Sequence, residues 1–345
     1  SVADKTNDFM TRAKWYLQTE NLSLFHLGEL INKNYFPNTE VDAEMWFSTE
    51  KGNIVELIAQ AELSDSIFGT ESDISGSSQL VYKGSNQNWN AELVVKDVKT
   101  KAISQDEINI KLARKDSIIY LNADVLDVPL LKAITKIINI PNDAFNQLSL
   151  DGKLTDVQIK YDFELRRLVD AKVKFQELDF DSEFGKFTHL SGEISLRDEQ
   201  IRLLVDSELG TADLPDFMRG QVKWNKLLLT AQTSMHDEYL DFKIKSMWCD
   251  CIDFILDGSA RFSLDNSLFM DLSFAVYNAQ VNQLYKYWPT QAWKPNVLNF
   301  LDQALVSGSV KNGMILYHGL LEEHPFEENQ GTFSTRSNLV DAQVN

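Results

Sequence analysis

The chain has 345 residues, with 51 acidic against 33 basic side chains and a formal net charge of −18. That balance argues against a nucleic-acid partner, whose binding runs on clustered Lys and Arg, and against electrostatic docking on anionic headgroups. No apolar run approaches the roughly 18 residues that a membrane-spanning helix needs.

Taken in chain order, strands are expected near 14–20, 41–48, 54–63, 74–82, 89–97, 105–113 and 116–124. More follow near 147–154, 157–164, 169–179, 190–197, 200–206, 220–225 and 227–234, and the last near 239–248, 251–262, 268–277, 308–318 and 332–343. The signal is alternation: Asp156 to Glu164 reads Asp-Val-Gln-Ile-Lys-Tyr-Asp-Phe-Glu, which places apolar side chains on one face of a strand and polar ones on the other. Ala171, Val173 and Phe175 stand likewise against Lys172, Lys174 and Gln176, and Phe242, Ile244 and Trp248 against Asp241, Lys243 and Lys245. Turn signals such as Lys51-Gly52-Asn53 separate the strands, and helical periodicity survives only at 25–33, 128–139, 281–287 and 295–306. Sparse helices and no linker point to an antiparallel all-β architecture.

A repeat runs through this pattern. Leu126-Asp127-Val128 opens a helix followed by Asp151-Gly152-Lys153 and a strand; Val281-Asn282-Gln283 opens another, followed by Ser307-Gly308-Ser309. Gly152 and Gly308 are 156 residues apart. A second echo pairs Ile74-Ser75-Gly76 with Leu190-Ser191-Gly192, each five residues after a glycine (Gly69, Gly185). The repeat divides the chain into a partial module at 1–125, a module at 126–280 and the truncated start of a third at 281–345. The missing initiator Met and a closing segment, Leu339 to Asn345, that reads as a strand cut short lead us to expect an internal piece of a longer protein.

No catalytic constellation stands out, and no metal or cofactor is expected. The five histidines are scattered; Glu322-Glu323-His324 reads as a solvated turn, and Asp179-Phe180-Asp181 beside Glu183 as a chance Asp-x-Asp. Cys249 and Cys251 lie two apart in an expected strand, which puts their Cα atoms roughly 6.6 Å apart, at the outer limit for a disulfide, so free thiols are expected. Trp15, Trp89, Trp224 and Trp248 fall in strands, where core packing is the default role. The oily face must be covered by something: a second sheet, as in a sandwich or barrel, or a ligand in an open groove. The repeat and the missing linkers favour a continuous curved sheet.

From Gln283 onward the residues add a resemblance. Tyr285-Lys286-Tyr287-Trp288-Pro289 is followed by a helix from Leu298 to Gly308, a strand from Val310 to Gly319, Pro325-Phe326 and Gly331-Thr332-Phe333. Leu190-Ser191-Gly192, Gly220-Gln221-Val222-Lys223-Trp224 and Ala123-Asp124-Val125-Leu126-Asp127 fit the same order upstream. This resembles the YhdP branch of the AsmA-like envelope proteins of Gram-negative bacteria, with Phe300-Leu301 where that family has Trp-Leu and Trp288 interrupting its Leu-Pro. The resemblance implies an elongated, curved, taco-like antiparallel sheet of repeating β-groove modules. It implies a non-catalytic periplasmic conduit for phospholipid acyl chains, anchored to the inner membrane through a segment absent from this chain and reaching the outer membrane. Val157, Ile159, Tyr161, Phe163, Val173, Phe175, Phe242, Ile244 and Trp248 are then the expected lipid-binding residues. The alternative is an envelope β-sandwich scaffold without lipid cargo.

Overall fold

The structure, a computed structural model, describes residues 12–23, 40–63, 75–85, 87–99, 104–128, 131, 149–182, 185–215, 217–235, 240–265, 267–288, 293–324, 326 and 330–344. The expected helix at 25–33, most of that at 128–139, and Gly69, Ile74, Glu183, Pro289 and Pro325 lie outside the described residues. The strands are β1 (Arg12–Ser23), β2 (Glu40–Glu50), β3 (Asn53–Leu63), β4 (Ser75–Gly84), β5 (Asn88–Lys99), β6 (Ser104–Lys115), β7 (Ile118–Asp127), β8 (Ser149–Asp162) and β9 (Arg167–Ser182). They continue as β10 (Gly185–Arg197), β11 (Gln200–Glu208), β12 (Thr211–Asp213), β13 (Val222–Met235), β14 (Leu240–Cys251), β15 (Ile255–Leu264), β16 (Leu268–Gln280), β17 (Leu305–Leu320) and β18 (Thr332–Val344). Helix α1 is Pro295–Ala304, and short 3-10 turns occupy Val281–Tyr287 and Leu321–Glu323.

The chain forms two compact units, Ser1–Asn146 with Asp151–Lys174, and Gln147–Leu150 with Phe175–Asn345. The division falls inside β9, whereas the sequence repeat sets module edges at 125/126 and 280/281. In the first unit each strand pairs antiparallel with the next in sequence from β1 to β8. The second runs likewise through β10, β11 and β13 to β18. There β12 carries on the line of β11 past Leu209, pairing with both β10 and β13. The expected all-β antiparallel class is what the structure has, and each unit forms its sheet from sequential hairpins. Two-residue turns fix the register where the chain allows left-handed backbone, as at Lys51-Gly52 with φ of 51° and 81°.

Single residues with positive φ interrupt several strands: Asn21, Asp97, Asp156 and Asn278 each coincide with a skipped partner in the ladder. Asn and Asp tolerate this conformation better than most residues. At Asn21 the ladder to β2 slips by one residue, a bulge that bends the strand. At Asp97, Asp156 and Asn278 one residue of each strand goes unpaired and the register toward β6, β7 and β17 resumes unchanged. The two strands expected at 147–154 and 157–164 are one strand, β8, interrupted at Asp156, whose φ is 50° and which the ladder to β7 leaves unpaired. The same reasoning merges 220–225 and 227–234 into β13, where the register slips between Trp224 and Lys226.

In the first unit the core centres on Ile108, Ile110, Leu121, Leu126 and Val157, all essentially inaccessible. In the second, one cluster gathers Val205, Ala212, Trp224, Leu227, Cys249 and Cys251, and another Ala279, Val281 and Val310.

Candidate functional site: the apolar face and its roofed cavity

Residues directly opposite across a ladder share a face, so the registers can be followed from strand to strand. In the first unit one row reads Leu17, Met45, Ala59, Leu80, Leu93, Ile110, Ala123, Val157, from β1 to β8, without a polar side chain. The neighbouring row on the opposite face reads Gln18, Glu44, Gln60, Gln79, Val94, Asn109. In the second unit the inner row Leu203, Ala231, Ile244, Ala260, Leu272, Tyr317, Phe333 crosses β11 to β18. Its outer neighbour reads Gln232, Lys243, Arg261, Asp271, His318, Thr332. Outer charges pair locally, as with Lys111–Glu92 at 3.3 Å and Arg261–Asp241 at 2.9 Å, contacts that each add little stability. Each inner row is therefore apolar from strand to strand, and the polar positions elsewhere on the second unit's inner face include Thr233, Thr335 and Ser337.

The two inner faces differ in exposure. Around β6 to β8 they are sealed, with Val157 only 1% exposed. Around β14 to β17 the second unit's inner face is half-buried at Phe242, Ile244, Phe262, Phe274 and Ile315. Aromatic rings line it, with the Phe242 and Phe262 centroids 6.1 Å apart.

Over β16 to β18 the face is roofed by the turn Val281–Tyr287 and helix α1. Pro295 starts α1, where its missing N–H is no loss, and Leu298 and Ala304 are the side chains it buries. Beneath lies a cavity of about 470 Å³, floored by Met270, Leu272, Val276, Ile315 and Tyr317 and walled by Leu284, Trp288, Trp293, Leu301 and Phe333. Among the described residues no Asp, Glu, Lys or Arg lines it. Asp253 pins the roof: its Oδ2 accepts hydrogen bonds from Tyr287 Oη at 2.7 Å and Lys286 Nζ at 3.0 Å. Gly220 N donates to Lys286 O at 2.9 Å, and Arg219 bridges to Asp302 on α1 at 2.7 Å. Burial pushes the Asp253 carboxyl up, but the bonds from Tyr287 and Lys286 outweigh it and hold the carboxyl below its ordinary value. Burial, and then the bond to Asp253, drive the Tyr287 phenol far above its ordinary value.

The structure distributes the sequence-predicted residues as follows. Val157, Ile159 and Tyr161 share the inner face of β8, and Phe163 just beyond it meets Tyr161 edge-on at 5.3 Å. Val173 lies in the first unit, opposite the face on which Asp170 and Lys174 reach Lys160 and Asp156. Phe175, Phe242 and Ile244 belong to the second unit, with Phe175 buried and the other two half-buried. Trp248 departs from the expectation. The ladder skips Lys245, which inserts a residue and puts Met247 and Cys249 on the inner face, leaving Trp248 outside and 37% exposed. Of the tryptophans expected in a core, Trp224 is buried and Trp15 largely exposed.

The cysteines are also corrected: Cys249 and Cys251 form a disulfide, with Cα atoms 5.4 Å apart. The strand is not fully extended at its end, where β13 bulges opposite and Cys251 N bonds Phe254 O across a turn. His324 is not a solvated turn residue but half-buried, its ring 5.6 Å from those of both Phe326 and Phe333. Asp179 serves the backbone, accepting from His189 N at 2.9 Å. Among the described residues no cluster of His, Cys, Asp or Glu could hold a metal ion, and no helix is long and apolar enough to cross a membrane.

Sequence reasoning missed the cavity itself. Strand β16 carries apolar residues on both parities (Met270, Leu272 and Phe274 inside; Phe269, Ala275 and Tyr277 outside), so alternation is blurred where it matters most. The signal available was the apolar spacing of Leu284, Leu298 and Leu301 in the two short helical pieces.

No curated protein and no solved structure matches the chain. The protein family described as YhdP protein matches it over residues 6–345, nearly its whole length. The chain belongs to the YhdP family of AsmA-like envelope proteins.

Proposed function

We propose that each unit is a stretch of groove along which phospholipid acyl chains move between the inner and outer membranes, with headgroups left in water. The observation that carries this reading is the pair of adjacent rows, wholly apolar inside and almost wholly polar outside, sustained across successive strands. A tail exposed to water costs roughly 0.8 kcal/mol per CH₂, so a 16-carbon chain faces more than about 10 kcal/mol unaided. A continuous hydrocarbon face removes that barrier with no bond made or broken, and the transfer needs no catalytic residue. The half-buried state of Phe242, Ile244 and Phe274 supports access from outside, which a sandwich scaffold with a dry, sealed core would not offer. In this reading the chain works in the periplasm, tethered to the inner membrane by a part of the protein beyond this sequence.

The test is a photo-crosslinking residue placed at Ile244 or at its outward neighbour Lys243, in protein expressed in Gram-negative cells. Lipid adducts at Ile244 and none at Lys243 are expected. Adducts at neither position, or equally at both, would overturn the groove.

A further inference from the structure

The cavity beneath the turn Val281–Tyr287 and α1 differs from the open face beside it. Its volume, about 470 Å³, falls within the roughly 300–1,000 Å³ of small-molecule sites. In a chain of net charge −18 its described lining residues include no carboxylate and no Lys or Arg, which suits an occupant uncharged where it touches the walls. The floor residues Leu272 and Tyr317 belong to the inner row described above, so the cavity opens from the same apolar surface. It is not wholly apolar, however. Trp288 Nε1 and His324 Nδ1, both on lining residues, are shielded from water and make no hydrogen bond. An indole N–H can only donate, and native structures seldom leave such groups unpaired.

We propose that this cavity is a holding site for one acyl tail, at which the ester carbonyl oxygen accepts a hydrogen bond from Trp288 Nε1, with His324 as the second polar contact. This rests on the groove reading and adds a stop to it: lipid slides on the open face and pauses under the roof. Both nitrogens are shielded from water, and aromatic rings neighbour both residues, Trp293 beside Trp288 and Tyr317, Phe326 and Phe333 beside His324. The Trp288–Trp293 pair, with centroids 5.6 Å apart, shifts for the carbonyl to reach them. The roof is built to stay while the rings move, since Asp253 and Arg219 pin it from outside the cavity.

The experiment places the photo-crosslinker at Leu301, inside the cavity, and separately at Ile244, on the open face. The protein is loaded from vesicles of diester phosphatidylethanolamine or of its diether analogue, which lacks the carbonyls. At Leu301 the diester is expected to crosslink roughly fivefold more than the diether, the effect of one neutral hydrogen bond. At Ile244 the two should be equal. The Trp288→Phe variant, which keeps the ring and loses the donor, should abolish the preference at Leu301. Adducts at Ile244 but none at Leu301 would overturn the holding site and leave the groove standing; adducts at neither would remove both. Equal diester and diether yields at Leu301 in the unaltered protein would overturn the carbonyl contact.

Discussion

Strand β8 in the first unit and strand β17 in the second are built on nearly the same sequence plan and close differently. Counting on by 156, Gly152 falls on Gly308, Leu154 on Val310, Ile159 on Ile315 and Tyr161 on Tyr317. Both glycines have positive φ, 135° and 112°, so the plan is shared in backbone as well as in side chains. Among the inner-face positions of these two strands, Val157 departs most, since it falls on Gly313. Val157 is fully buried, as are Leu126, Val128 and Leu131 at and just beyond the end of β7. Gly313 has no side chain and lines the cavity. One scaffold thus yields a sealed stretch and a stretch with room for a guest, and the difference turns on filling as much as on fold.

The largest expected effect separates the two regions. Val157→Asp puts an unpaired charge in a closed core and should lower stability by more than about 3 kcal/mol. Phe242→Asp, on the half-exposed face, should cost roughly 1 kcal/mol while stripping lipid crosslinks from Ile244. Urea unfolding of the two variants checks the first statement, and equal losses would erase the distinction between sealed and open face.

Next comes the roof. Asp253→Ala removes the acceptor for Tyr287 and Lys286 and should cost about 1–3 kcal/mol, read locally as faster amide exchange across Val281–Tyr287. The Asp253 carboxyl is held below its unfolded value, so its contribution is complete above roughly pH 4 and is lost as pH falls through the lowered value. Emission from Trp288 and Trp293 should therefore change at acid pH in the native protein and be flat over that range in Asp253→Asn. An identical acid transition in the variant would assign it to other groups.

How much of this was readable in advance follows from what fixes each feature. Alternation in β8 and β14 placed Val157, Ile159, Phe242 and Ile244 on one face, because strand periodicity is a local property. Trp248 was misplaced because a bulge is set by the neighbouring strands, and nothing in Lys243 to Trp248 announces the skipped Lys245. The disulfide was missed for the same reason: the spacing of Cys249 and Cys251 was judged on an ideal strand that the turn at Phe254 distorts. The two roof pieces, at 281–287 and 295–306, were legible as short helices, but their placement over the sheet was not. The roof's anchors Arg219 and Asp302, or Asp253 and Tyr287, meet only in the folded chain.

Two smaller effects sharpen the picture. Replacing Cys249 and Cys251 together by Ala should cost about 1–2 kcal/mol, because so short a loop restricts the unfolded chain little. Urea midpoints with and without reductant should converge in that variant. Gly313→Ala would set a Cβ 3.2 Å from Ser337 Oγ and 3.3 Å from Val310 Cγ1, a fit with slight give that should cost about 1 kcal/mol at most. Gly313→Val would make the second unit resemble the first, reducing lipid capture at Leu301 and sparing Ile244; undiminished capture would show that the missing side chain does not create the room.

The most direct measurement is native mass spectrometry of this chain purified from Gram-negative membranes, with organic extraction of whatever accompanies it. The account predicts bound phospholipid, lost when the facing pair Phe242 and Phe262 is replaced, as Phe242→Asp with Phe262→Asp, in a protein that keeps its β-sheet spectrum. A folded chain that carries no lipid, or one whose lipid survives that double change, would contradict it.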